Sequence, residues 1–319
     1  LLLHDANPIY GSPSAWHVRD TLSKIPFIAS FGSFIDETSI LADLILPDHS
    51  FLESWVDHMP ESGASIAVSS VAPPAMQPIH QTRAMTDVLL DVSHRLAKPL
   101  TPAIPWKTYE EMLKESFAPE TWKNAIQAGG IWPDSAETGS RQEKGVRPLV
   151  SLFPKSAEPE FDGEGTQYPF HFLPYKSQSF LDGSLAHLPW LQELPDVLST
   201  AMWSSWVEVH TDTARGLGLA QGDVVEISSG HGKIQAPVLV SPGIAPNVIA
   251  MPMGQGHDTF TRFASGRGAN PISILAPKIE PETGALAWAA TRVRISKVNS
   301  ESNLILFAGG MREHPDEHR

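Results

Sequence analysis

The chain has 319 residues with 36 acidic against 23 basic side chains, a net charge of −13, and that balance argues against a nucleic-acid binder, which needs a basic face to track phosphates. Its length suits about two domains, and its 28 prolines and 23 glycines suit a loop-rich, β-containing protein better than a helical bundle. It has no cysteine, which excludes disulfides, a thiolate nucleophile, cysteine-bound zinc and a cysteine-held iron–sulfur cluster within these residues. No apolar run approaches the roughly 20 residues of a membrane-spanning helix.

The opening residues Leu1-Leu2-Leu3-His4-Asp5 read as the middle of a buried strand, so the chain is expected to be the C-terminal part of a longer protein. Further strands are expected at Pro26 to Phe31 and Leu44 to Leu46, with an amphipathic turn or two over Ser14 to Leu22 behind a serine cap. The clearest helix is Ala84 to Leu96, where Met85, Val88, Leu89, Val92 and Leu96 form an apolar stripe expected to pack on a sheet. Trp106 to Phe117 and Pro119 to Gln127 read as two more short helices. The alternation of strand and helix over 1–128 is that of an α/β layer with parallel strands.

From Gly129 to Gly165 periodicity gives way to Gly, Ser, Glu, Lys and Pro, which reads as an irregular connection at a domain boundary. Beyond it the texture is β. Trp206 to His210, Val224 to Ser228, Ile234 to Val240, Asn247 to Met253 and Thr291 to Lys297 are expected to form a small mixed or antiparallel sheet that closes into a barrel. A short helix over Asp212 to Leu217 leads into the tight turn Gly218 to Asp223. Residues 166–298 form the second domain on this reading, and 299–319 a polar tail.

Four groups carry candidate chemistry. Asp5-Ala6-Asn7-Pro8 follows the first strand, at the end where open α/β sheets bind nucleotides, although an ordinary Asn-Pro turn explains it as well. Asp36, Glu37 and Thr38 follow the second; a carboxylate there accepts hydrogen bonds from a guanine edge or a ribose diol, or caps a helix. His49, Glu53, Asp57, His58 and Glu61 invite a metal, yet no His-x-x-x-His pair supports one, and a polar loop edge is the simpler reading. The glycine-rich segment Met251 to Pro271, with Gln255, Gly256, His257, Arg262, Arg267 and Asn270, lets backbone approach a flat or anionic ligand, or is a barrel-end loop. It lacks the context of a P-loop or dinucleotide fingerprint.

Taken in order, these segments resemble the C-terminal portion of the large subunit of a molybdopterin oxidoreductase of the dimethyl sulfoxide reductase family. The resemblance is carried by Leu1 to Pro8, Asp36-Glu37-Thr38, Ala42-Asp43-Leu44-Ile45-Leu46-Pro47, Val209 to Ala214 with Leu217 to Val225, and Gly268-Ala269-Asn270-Pro271. It is nearest to polysulfide- and tetrathionate-reductase-like members and to subunits of alternative complex III and menaquinone reductase. It implies a partial Rossmann-like α/β domain followed by a six-stranded double-psi β-barrel, the molybdopterin dinucleotide-binding domain. It also implies two molybdopterin guanine dinucleotides (bis-MGD) gripping molybdenum or tungsten. By position Asn7, Asp36, Glu37 and Thr38 would meet one guanosine and its phosphates, and Pro174, Tyr175, Ser177, Gln255, Gly256, His257 and Asn270 the pterin and pyrophosphate. Leu173-Pro174-Tyr175-Lys176 departs from the Thr-Gly-Arg-like segment of many members.

In the family the metal ligand and any 4Fe-4S cluster lie upstream or in a partner, so no catalytic residue is expected here. The resemblance further implies an iron–sulfur electron-transfer subunit, a quinone-reactive membrane subunit, a small-molecule substrate, and a place on the periplasmic or outer face of the cytoplasmic membrane. Two functions remain open: a catalytic subunit moving two electrons at the metal, and a scaffold subunit that keeps the fold without the cofactor. Large aromatic or acidic side chains in the pterin slot would favour the scaffold.

Overall fold

The computed structural model describes residues 1–59, 68–132, 158–281, 283–302 and 304–309. Three short parallel strands open it: β1 (Leu2–His4), β2 (Ala29–Phe31) and β3 (Leu44–Leu46), in that spatial order. All of β2 is buried, whereas Leu1, Leu2, Leu44 and Ile45 are 37–58% exposed. The buried opening strand expected from its leucines is therefore an edge strand with uncovered side chains, because only the central strand is flanked on both sides. A single 3₁₀ turn (Ser14–Trp16) and helix α1 (Val18–Leu22) cross from β1 to β2, burying Leu22.

Strands β4 (Val56–His58), β5 (Ser69–Ala72) and β6 (Gly130–Ile131) make a second small antiparallel sheet. Helices α2 (Met85–Arg95), α3 (Tyr109–Ser116) and α4 (Pro119–Ala128) follow the expected segments closely. Thr108 caps α3 by accepting the Glu111 N–H, and α4 begins with proline and ends at left-handed Gly129, both standard terminus chemistry. Val71, Leu113 and Ala125 form their buried centre. The stripe on α2 is only partly covered: Leu90 is buried, while Val92 and Leu96 stay 48% and 45% exposed. Its hydrogen bonds run to Asp48 and to the start of α3.

The barrel closes in the order β10 (Val224–Ser228), β11 (Lys233–Val240), β9 (Val207–Val209), β12 (Val248–Met253), β7 (Phe170–Lys176), β13 (Arg292–Lys297) and back to β10. Its pairings are mixed: β7 with β12 and β9 with β11 are parallel, the rest antiparallel, as a double-psi barrel requires. Alternation makes the core: on β13, Val293 and Ile295 point in while Arg292, Arg294 and Ser296 do not join the buried set. Phe172, Val207, Val209, Val225, Ile227, Val238, Ile249 and Met251 are fully buried with them. Helix α6 (Thr211–Gly216) lies between β9 and β10.

Helix α5 (Pro189–Glu193), helix α7 (Thr261–Ala264) and a two-stranded pairing of β8 (Ala201–Met202) with β14 (Ile305–Leu306) had no counterpart in the periodicity. At the domain junction, Gly130–Ile131 pairs with β5 and Asp162 bridges to Thr291 beside the barrel. Residues 133–157 of the expected connection and 310–319 of the expected tail lie outside the described residues.

Candidate functional site: the seam between the α/β unit and the barrel

The parallel register of β7 with β12, from Val248 opposite His171 to Met253 opposite Lys176, ends both strands at one rim of the barrel. The loops that follow, Ser177–Gly183 and Gly254–Asn270, therefore emerge side by side. Gly254 packs so closely on Phe180 that a Cβ would sit 2.6 Å from the Phe180 Cβ, and one on Gly183 would sit 2.6 Å from the Tyr10 ring. Facing this rim are the segments after β1 and β2, carrying Asn7 to Tyr10 and Asp36 to Thr38.

Glu37 is the centre of the contact. It is 3% exposed, yet its carboxylate accepts from Asn7 Nδ2 at 2.6 Å, from the Asp258 N–H at 2.8 Å and from the Thr259 N–H at 3.1 Å, and lies 3.1 Å from His257 Nδ1. Burial pushes such a carboxyl upward. The hydrogen bonds from His257, Asn7 and the Thr259 N–H outweigh it and hold Glu37 down to about 2, the behaviour of a carboxylate whose charged form is solvated by protein donors. Thr38, 1% exposed, donates to Asn7 Oδ1 at 2.7 Å and accepts from the Ile9 N–H.

The other half of the knot is built on Tyr10 and Gln255. Tyr10 stacks on His257, with ring centroids 3.7 Å apart and planes 9° from parallel. Its hydroxyl donates to the Gln255 carbonyl at 2.9 Å, and burial raises its pKa. Asn270 donates through Nδ2 to the Tyr10 carbonyl at 2.8 Å. Gln255 Nε2 donates to Gln192 Oε1 at 2.6 Å, with both side chains buried. His257 Nε2 lies 3.2 Å from the Gly183 carbonyl. Of the residues the resemblance assigns to the cofactor, Asn7, Glu37, Thr38, Gln255, Gly256, His257 and Asn270 are thus brought together, with their polar side-chain atoms spent largely on one another.

The remaining assignments fall elsewhere. Asp36 Oδ1 accepts from the Thr38 and Ser39 N–H groups, capping the 3₁₀ turn Ser39–Leu41. Asp36→Ala is therefore expected to cost about 1 kcal/mol of stability, a cap's usual worth, readable as a shift in urea midpoint with unchanged dinucleotide content. Pro174 is buried on β7 opposite Met251. Tyr175 donates to Glu208 Oε1 at 2.5 Å on the barrel wall, and burial with that carboxylate raises its pKa. Ser177, 7% exposed, accepts from the Ser179 and Phe180 N–H groups. Arg267 does not reach out for phosphate: its guanidinium lies over the Trp203 ring at 4.5 Å and donates to the Phe263 carbonyl. In the His49 group, Glu61 lies outside the described residues.

Tyr10, Gln192 and Gly183 were not singled out in the sequence. For Tyr10 a signal exists, since a tyrosine two residues after Asn-Pro at a sheet end needs a partner for its hydroxyl if buried. For Gln192 there is none.

Beside the knot lies a cleft of about 650 Å³, walled by Ser14, His17 and Arg19 from the α/β unit and by Gln235, Gly268 and Asn270 from the barrel. That volume is in the usual range for a small-molecule or cofactor site. The side chains of Ser14, Arg19 and Gln235 make no hydrogen bond or ion pair among the described residues, and a Cβ on Gly266 at the rim would meet nothing within 4 Å. Arg19, the Ser14 hydroxyl and the Gln235 amide offer free donors to a phosphate-bearing ligand, on a lining that Asp20, Glu37 and Asp258 also share. The fit is with the cleft, and not with Glu37, whose carboxylate oxygens are taken by Asn7, His257 and the Asp258 and Thr259 N–H groups.

Residues 194–290 match the family model of the molydopterin dinucleotide binding domain. The chain is 30% identical to the menaquinone reductase molybdopterin-binding-like subunit of Nitratidesulfovibrio vulgaris, over 93% of this chain and 41% of that protein. It is 22% identical to the arsenate respiratory reductase molybdopterin-containing subunit of a Shewanella species, over 93% of this chain and 44% of that one. With the thiosulfate reductase molybdopterin-containing subunit of Salmonella typhimurium the figures are 24%, 85% and 40%. Among solved structures, acetylene hydratase from Pelobacter acetylenicus superposes with a TM-score of 0.69 at 16% identity, covering 93% of this chain and 44% of that one, a likeness of fold. The chain spans about two-fifths of the length of these relatives.

Proposed function

Because this chain belongs to the molybdopterin oxidoreductases of the dimethyl sulfoxide reductase family, we propose that it is the C-terminal, cofactor-gripping part of a respiratory large subunit that binds molybdopterin guanine dinucleotide in the seam cleft. The observation that carries this reading is the cleft itself: its barrel wall, Ile234 to Ser273, falls inside the matched residues 194–290. When bound, the cofactor supplies two-electron redox chemistry at its molybdenum or tungsten. This chain's part is to hold it, with Arg19 opposing phosphate charge, Ser14 and Gln235 offering hydrogen bonds, and the Glu37–His257 knot fixing the distance between the two walls. The metal ligand, any 4Fe-4S cluster, an iron–sulfur partner and a quinone-reactive membrane subunit belong to the rest of the assembly, on the outer face of the cytoplasmic membrane.

A second reading has its own support. Tyr10, Glu37 and His257 are an aromatic, an acid and an imidazole buried in the crevice and satisfied without a ligand, and the relative at 30% identity is described as molybdopterin-binding-like. On that reading the subunit keeps the fold as a scaffold. Metal and nucleotide analysis of the full-length protein decides: molybdenum or tungsten and released guanine nucleotide in stoichiometric amounts are expected, and their absence after anaerobic purification from cells supplied with both metals selects the scaffold.

A further inference from the structure

The seam leaves the group around His49 and Glu53 without a role, although the α/β unit folds those residues around a second cavity. It has a volume of about 230 Å³, smaller than a cofactor site and suited to one compact group. Trp55, Met76, Pro78 and Tyr109 supply its apolar and aromatic walls, with Glu53 and Asp87 beside them. Glu53 is 9% exposed and its two oxygens accept from the Ser50 and Ile79 N–H groups at 3.0 and 2.9 Å. Those backbone donors, Ile79 first, hold its carboxyl below the ordinary value, so it stays charged. Asp87 accepts the Tyr109 N–H through Oδ1 at 2.7 Å, while its other oxygen has no partner among the described residues. The Tyr109 hydroxyl donates to Asp57, adding a third carboxylate at the edge.

No lysine or arginine lines this cavity. Arg83, nearest in sequence, is engaged with Asp91 and with the Asp87 carbonyl, and His49 is bonded to Thr82 through Nδ1. An anion would face Glu53 and Asp87. A metal ion is disfavoured by the absence of any cluster of three metal-capable side chains among the described residues. What the lining suits is positive charge spread over a flat or short group: tryptophan and tyrosine faces attract a cation, and a carboxylate with a free oxygen accepts its N–H.

We propose that this cavity binds a compact organic cation, a guanidinium or alkylammonium group carried either by a basic side chain of a protein partner or by a free small molecule. The test is isothermal titration of the full-length protein with ethylguanidinium, with a Gly-Arg-Gly amide, and with neutral N-ethylurea at matched ionic strength. Saturable one-site binding of a cationic probe is expected, without saturation by the urea. It should weaken at least tenfold in Asp87→Asn, which keeps an acceptor for the Tyr109 N–H, and in Trp55→Leu. If Trp55→Leu fails to fold, Asp87→Asn alone decides. A peptide that binds much more tightly than ethylguanidinium identifies a partner's side chain, and equal binding identifies a free cation. No saturable binding of either cation, or binding unchanged in Asp87→Asn, overturns the proposal.

Discussion

Replacing Glu37 with alanine is expected to destabilise the protein by about 3–5 kcal/mol, because several buried donors lose their one acceptor at about 1–3 kcal/mol each. The cause is what remains. Asn7 Nδ2 and the Asp258 and Thr259 N–H groups lose their common acceptor inside a contact where Glu37 is 3% and His257 3% exposed, and each orphaned donor keeps its desolvation cost. Single-domain stabilities are only about 5–15 kcal/mol, so the urea midpoint should fall markedly. A change under 1 kcal/mol would mean that the knot is not holding the units. The same carboxylate predicts an acid limit. Its folded value of about 2 lies below the ordinary 4.5, so its contribution is complete above that ordinary value and is lost as pH falls from there towards 2. Wild-type stability should therefore drop over that interval more steeply than that of Glu37→Gln.

Gly256→Ala is expected to cost about 2–5 kcal/mol, combining left-handed backbone strain with overpacking. Gly256 sits at φ +85°, and a Cβ there would lie 2.1 Å from the Asn270 backbone nitrogen and 2.3 Å from the Ala269 carbonyl carbon. Neither atom is the end of a flexible side chain, so the loop itself must move, carrying Gln255 and His257 with it. Gly266→Ala is the control: its φ of +71° brings strain, but a Cβ would meet nothing within 4 Å. Thermal denaturation of the pair separates close packing from backbone preference, and equal losses would show that packing at Gly256 contributes little.

The fold was legible where period and burial agree. Val224 to Ser228 is a β-branched run that pairs with two neighbours and is buried except at Glu226, and its bounds could be read from the letters. The opening strand shows the limit, since three leucines announce apolar character but not whether anything covers them. Strand β7 was legible through the resemblance, which sets Leu173-Pro174-Tyr175-Lys176 on the barrel domain's first strand, and not through period, because Pro174 interrupts a Phe-His-Phe-Leu run that a proline normally demotes; the barrel tolerates it opposite Met251.

In the candidate site, sequence order singled out loops that meet at the seam, and family position assigned them to a ligand. What no local pattern showed is that residues 37 and 257, 220 positions apart, face each other and satisfy each other. Hydrogen-bond valence is a property of the assembled contact: Asp36 and Glu37 are neighbours of like charge, yet one caps its own turn while the other crosses to the barrel.

The central claim is that the Glu37–His257 knot fixes the walls while the dinucleotide occupies the cleft beside it. A structure of the full-length, cofactor-loaded protein tests this most directly. The account predicts Glu37 still accepting from Asn7 and the Asp258 N–H, with the dinucleotide along Ser14, Arg19, Gln235 and Asn270. A Glu37 carboxylate turned away from His257 and bonded to the guanine or ribose would contradict it.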